Sequence, residues 1–188
     1  MRYAILLLAA MLPLLHGCAP VLIGGAVATG VLVAEDRRTA GTMTEDQGIE
    51  IKTSGRIADS LKGNIHVNVT SYNRAVLLTG EVPDAAAKEQ AERITRAVEN
   101  VRAVYNELAV SGVTALSSRT NAAVITSKVK ARFIDAQKFS PVHVKVVTEN
   151  SVVYLLGLVK KQEANDATEI ARTTGDVRKV VRVFEYLD

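Results

Sequence analysis

Apolar residues fall into distinct patterns along this 188-residue chain. From Ala4 to Leu15 they run nearly unbroken behind a single basic residue, Arg2. A second apolar run, Ala19 to Val33, follows Gly17 and Cys18. It contains Pro20, Gly24, Gly25 and Gly30, which make it a poor continuous helix. Further on, the spacing becomes helical and then alternating. Ile49, Ile57 and Leu61 share one side of a helix predicted over 46–62. Ile125, Val129, Phe133 and Ala136 share one side of another over 119–137. Val67 and Val69, then Val76 and Leu78, alternate about Tyr72-Asn73-Arg74. Val144 and Val146, then Val153 and Leu155, alternate about Glu149-Asn150-Ser151. Each set predicts two strands joined by a tight turn. Gly80 and Gly157 predict a bend, or a close approach of the next helix. Further helices are predicted over Asp84–Asn100, with Asp84 as N-cap after Pro83, and over Lys161–Thr173. Final strands are predicted over Val101–Val110 and Val177–Leu187.

These elements are duplicated. His66-Val67-Asn68-Val69 matches His143-Val144-Lys145-Val146 at an offset of 77. Asn73, Val76, Leu78, Gly80 and Val82 match Asn150, Val153, Leu155, Gly157 and Val159 at the same offset. Ile94 and Val101-Arg102 match Ile170 and Val177-Arg178 at 76, so the second copy has lost one residue. Two copies of about 70 residues imply two small domains of one fold. Each reads αββαβ, a three-stranded sheet covered by two helices, and the class is α+β. The expected division is 1–17 signal peptide, 18–44 tether, 45–111 first domain and 112–188 second domain, with Ser111-Gly112 as the junction.

Charge separates the copies. Residues 45–111 hold eight Lys/Arg and ten Asp/Glu, whereas 112–188 hold twelve and eight. An anionic partner would therefore meet the second half. Tryptophan is absent, so the cores rely on Val, Ile, Leu and Ala. Cys18 is the only cysteine, which excludes an intramolecular disulfide.

The basic start, apolar stretch and small residues before Cys18 read as a secretory signal peptide. Leu15-His16-Gly17-Cys18 resembles the lipobox of bacterial lipoproteins, with His16 as an unusual third member. That resemblance implies acylation of Cys18 and a chain held on a membrane by its N-terminus. Ala19, where aspartate would favour the inner membrane, implies the outer membrane and a periplasm-facing head. A cleaved signal with an unmodified thiol and an uncleaved anchor are the alternatives.

The Val-x-Val strand, the Val-x-Leu-x-Gly strand and the Val-x-x-Val closing strand of each αββαβ copy resemble the BON domain. Arg38-Thr39-Ala40-Gly41-Thr42, Val104-Tyr105-Asn106-Glu107 and Ile125-Thr126-Ser127-Lys128-Val129 add local matches, as does Val144 to Asn150. The resemblance, to dual-BON outer-membrane lipoproteins, covers essentially the whole chain. It implies binding of anionic, phosphatidylglycerol-like phospholipid through the first helix of the second domain, and support of outer-membrane integrity, with a link to division sites.

The residues of that helix can be read independently. Residues 119–138 carry Arg119, Lys128, Lys130, Arg132 and Lys138 against Asp135. With the apolar stripe inward, the outward side presents Val124, Ser127, Ala131, Ile134 and Lys138, flanked by Lys128 and Lys130. Small and apolar residues ringed by lysines suit a headgroup boundary. Val124 stands where a relative carries tryptophan, a residue suited to the interface. That substitution implies weaker insertion, or a larger share of contact for Phe133 and Ile134. A solvated basic face is the bland reading, and docking of an envelope protein partner, in an interaction or chaperone-like module, is the second functional one.

Catalysis has little support. His66 and His143 hold equivalent positions at strand starts, which reads as structural. No Cys/His cluster has zinc spacing, so no metal or cofactor is expected. Gly25 to Gly30 has P-loop spacing, but Val31-Leu32 replaces the required Lys-Ser/Thr. Asp84, Glu89 and Glu92 lie beside Lys88, Arg93 and Arg96 as a solvated helix face. Export disfavours nucleic acid.

Overall fold

The computed structural model describes residues 36–61, 63, 65–112 and 116–188, with the backbone alone over 116–119. The expected signal peptide, Cys18 and the apolar start of the tether lie outside these residues, as does the Arg119 side chain. None of the described helices is long and apolar enough to cross a membrane.

Helix α1 spans Ala40–Ser60 and begins earlier than its apolar stripe alone predicts. The reason is Thr39, an N-cap whose hydroxyl accepts from the Thr42 amide at 3.1 Å. One face buries Asp46, Ile49, Thr53 and Ile57. The chain then forms an antiparallel hairpin of β1 (His66–Tyr72) and β2 (Ala75–Val82). Asn73 and Arg74 both take positive φ, 49° and 64°. Such a two-residue turn matches the twist of the strands it joins. Arginine is a poor choice there, and buried Asp46 offsets the strain. Its carboxylate accepts from the Asn73 and Arg74 amides and from the Ser71 hydroxyl, at 2.7–2.8 Å.

Helix α2 (Ala85–Arg96) starts at Asp84, whose Oδ1 accepts from the Ala87 amide at 2.8 Å. Its inward positions, Ala87, Ala91 and Thr95, let it lie close on the sheet. The predicted closing strand is split into β3 (Ala103–Asn106) and β4 (Ala109–Val110), both parallel to β2. Asn106 causes the break. Its amide turns to the Lys88 carbonyl and Glu92 carboxylate, and Leu108 drops into the core.

The second half repeats the plan. It comprises α3 (Leu116–Ala136), a 3-10 turn at Pro141–His143, β5 (Val144–Glu149), β6 (Val152–Val159), α4 (Lys161–Arg172) and β7 (Lys179–Tyr186). The hairpin turn again has positive φ at both residues, Asn150 and Ser151. Here β7 is continuous along β6. Gly80 and Gly157 correct one expectation: what approaches them is backbone of the preceding segment, not the next helix. A Cβ would lie 2.0 Å from the His66 carbonyl oxygen at Gly80 and 2.4 Å from that of His143 at Gly157.

Strands β2 and β6 are buried on both sides. Val76, Leu78 and Val82 face the helices of the first half, and Val153, Leu155 and Val159 those of the second. The alternate residues bring the sheets back to back: Tyr72 and Leu77 pack with Tyr154, Leu156, Leu158 and Val183. Burying one such leucine contributes roughly 1.5–3 kcal/mol, so parting the sheets would cost several times that. Burial also pushes the Tyr154 hydroxyl up to about 12, with Glu107 and Glu149 adding to the shift. Polar pairs rim this seam. Asn68 donates to Glu149 and Asn150 to Glu81, both at 2.9 Å, and Lys145 meets Glu50 at 3.1 Å. Residues Arg37–Asp188 form one compact unit.

Candidate functional site

The long helix α3 sits on its sheet through Ile125, Val129 and Phe133, all essentially inaccessible. Phe133 meets Phe139 edge-on at 5.0 Å between centroids. These residues recur at i+4 and i+8, so the opposite side must face solvent. There Val124 is 46% and Ile134 62% exposed, and Ser127, Lys128, Lys130, Ala131 and Lys138 are exposed with them. Val124, Ser127, Ala131 and Ile134 thus lie along one outer face of α3, flanked by Lys128 and Lys130, whereas Lys138 falls beyond the helix end, after Gln137 with its positive φ. Val124 and Ile134 stand roughly 15 Å apart at 1.5 Å per residue. Phe133 is corrected: at 1% exposure it belongs to the core and leaves outward apolar contact to Val124 and Ile134.

The electrostatics differ from a ring of free lysines. The Lys128 ammonium meets Asp176 at 2.8 Å, and Lys138 meets Asp166 at 2.9 Å. The Asp166 carboxyl is held below its ordinary range, first by the Lys138 hydrogen bond and then by that from Gln162. Arg132 turns inward, donating to the Ile170 carbonyl and to the Thr174 hydroxyl. Lys130 has no carboxylate within ion-pair distance among the described residues. Exposed pairs such as Lys128–Asp176 contribute about 0.2–1 kcal/mol, so an incoming phosphate can take the lysine over.

A feature the sequence did not signal adjoins this face. The first half of α3 and the β1 edge enclose a cleft of about 490 Å³. His66, Asn68, Ala122, Thr126, Ser127 and Glu149 line it. The Thr126 hydroxyl bonds the Thr148 hydroxyl at 2.7 Å on its wall. The cleft exists because the two sheets pack, and its residues lie far apart in the chain. Asp84, Glu89 and Glu92 form no convergent site: Asp84 caps α2, and Glu89 and Glu92 pair with Arg93 and Arg96.

The BON domain family model matches residues 45–112 and again 121–188. The chain is 38% identical over 176 residues to the outer membrane lipoprotein DolP of Haemophilus influenzae, covering 93% of this chain and 91% of that one. It is 31% identical to the 21 kDa hemolysin of Actinobacillus pleuropneumoniae, covering 81% of this chain and 79% of that protein. It is 28% identical to the osmotically inducible protein Y of Escherichia coli, covering 85% and 90% respectively. None of these names denotes an enzyme.

Proposed function

The chain belongs to the BON domain family, and from that premise we propose that it is a lipid-anchored outer-membrane protein whose second domain holds anionic phospholipid. The head faces the periplasm, Cys18 carries the anchor, and the outer face of α3 makes the contact. The role is one of binding, in support of outer-membrane integrity and at division sites. One observation carries this reading: among the described residues Val124 and Ile134 are the large apolar side chains exposed on α3, with Lys128 and Lys130 exposed on the same helix and Lys138 just past its end. The 38% identity to a protein named an outer membrane lipoprotein supports the location.

Physically, the contact is weak and local. Each basic side chain near an anionic leaflet contributes roughly 1 kcal/mol. Two partly exposed aliphatic side chains add a shallow apolar contact, not an inserted helix. That suffices on a tether, because anchoring at Cys18 makes the encounter intramolecular and raises the effective concentration. Lys128 and Lys138 exchange Asp176 and Asp166 for lipid phosphate, while Lys130, which has no carboxylate within ion-pair distance among the described residues, binds directly.

The test is co-sedimentation of residues 37–188 with phosphatidylglycerol-containing and purely zwitterionic vesicles. This boundary retains Thr39, which caps α1, and Arg37, which reaches Glu163. Binding to the anionic vesicles alone, weakened by salt, by Lys128→Glu with Lys130→Glu and by Ile134→Asp, is expected. Absence of binding at any charge would refute lipid contact and direct attention to an envelope protein docked on the same face.

A further inference from the structure

We propose that His66, Glu81 and Glu149 form a divalent transition-metal site, of the kind zinc occupies, that staples the two BON domains together. His66 opens β1 and faces Glu81 across the β1–β2 ladder. Glu149 closes β5 in the other domain. One ligand atom from each residue lies within 4.8 Å of the others. The His66 Nδ1 and a Glu81 oxygen are 3.0 Å apart. A tetrahedral zinc site, with bonds of about 2.0–2.1 Å, spaces its ligand atoms by roughly 3.3 Å, so closure needs side-chain shifts of about an ångström.

Burial separates this cluster from ordinary surface carboxylates. Glu81 is fully buried and Glu149 only 8% exposed. Two carboxylates side by side and out of water repel one another and lose their hydration. A divalent cation held with the neighbouring imidazole would balance both charges at once. The remaining oxygens are already oriented. Asn150 donates to Glu81 Oε1 and Asn68 to Glu149 Oε2, both at 2.9 Å and both across the domain seam. Such outer partners fix the direction in which metal-binding carboxylates point.

The repeat supplies an independent argument. The position equivalent to Glu81 in the second copy is Leu158, at the same offset of 77 that relates the flanking residues. Leu158 packs in the seam with 8% exposure. The BON fold therefore accepts an apolar residue there, and a buried glutamate in the first copy is not a requirement of folding. Imidazole with two carboxylates suits zinc and its neighbours better than magnesium. Three protein ligands leave a position for water, and the cleft lined by His66, Asn68 and Glu149 connects it to solvent. The site does not depend on lipid binding.

The experiment uses the full-length chain in detergent, stripped with chelator and dialysed against zinc. One zinc per chain is expected, with a higher unfolding temperature, and magnesium should not reproduce either effect. His66→Asn and Glu149→Gln should each weaken zinc binding at least tenfold and abolish the thermal shift. Both keep polar groups of similar size, and circular dichroism confirms their fold. Glu149→Gln, whose amide oxygen still accepts from Asn68, stands alone if His66→Asn does not fold. No stoichiometric zinc, or zinc held equally by wild type and the variants, would overturn the proposal; the second result would place the metal elsewhere in the chain.

Discussion

Arg37 forks onto Glu163: Nη1 meets Oε2 at 2.6 Å and Nη2 meets Oε1 at 2.8 Å, across 126 residues of chain. The same Nη1 donates to the Leu158 carbonyl at 2.8 Å. Glu163 in turn accepts from the Lys160 amide at 2.7 Å, at the start of α4. A residue ahead of the first helix thereby locks the last one. Arg37, just ahead of α1, is consequently tied to the second domain, where the lipid contact is proposed.

Arg37→Ala should destabilise the protein by about 1–3 kcal/mol. The pair is largely shielded, and the variant leaves Glu163 and the Leu158 carbonyl short of a charged donor. Urea unfolding should show a lower midpoint with an unchanged slope. A change within 0.5 kcal/mol, roughly what an ordinary surface substitution produces, would mean that the fork contributes nothing.

The same pair sets an acid dependence. The Arg37 guanidinium, chiefly, holds the Glu163 carboxyl below its ordinary 4.5; burial opposes this, and the Lys160 amide adds to it. The unfolded chain therefore takes up this proton at a higher pH than the folded one. The stabilisation is complete above pH 4.5 and is lost as pH falls through the lower folded value. Glu185, lowered chiefly by its hydrogen bond from Arg102 and also by Asn73, behaves in the same direction. Unfolding midpoints measured across this range should fall on acidification, and less steeply in Arg37→Ala.

Gly80→Ala should be among the most damaging single changes. Gly80 has φ +112°, and the added carbon would lie 2.0 Å from a backbone oxygen that cannot rotate away. The strands must separate there, at a cost of about 3 kcal/mol or more. Soluble yield and melting temperature report it. Gly157→Ala should do less harm, because its contact is 2.4 Å and no positive φ compounds it.

Adjacent residues on α3 should give opposite results. Phe133→Ala opens a core cavity and should cost about 3–5 kcal/mol. Ile134→Asp, at 62% exposure, should leave stability within about 0.5 kcal/mol while reducing vesicle binding. Thermal melts of both variants beside co-sedimentation of the second separate a folding defect from a binding one.

Much of this protein follows from periodicities of two and 3.6 residues. The strand alternation, the Asn73-Arg74 and Asn150-Ser151 turns, the Asp84 cap and the inward stripe Ile125, Val129 and Phe133 are properties of neighbours in sequence. The offset of 77 made the duplication visible without any coordinates. The outward face of α3 followed by subtraction. A further signal was present in Val152–Val159, whose near-continuous apolar run marks a strand buried on both faces. It announced a second covering layer but could not say what the layer was.

Tertiary structure alone decided the partners. That the other sheet covers Leu77 and Tyr154, that Asp46 anchors a hairpin, and that Lys128 and Lys138 face Asp176 and Asp166 all join residues separated by long stretches of chain. So do Asn150 with Glu81 and Asn68 with Glu149. Local spacing determines which side of an element is apolar, because that is a matter of backbone geometry. Which polar groups meet across a seam is determined by how two complete domains pack, and pairing buried charges there requires both to be in place.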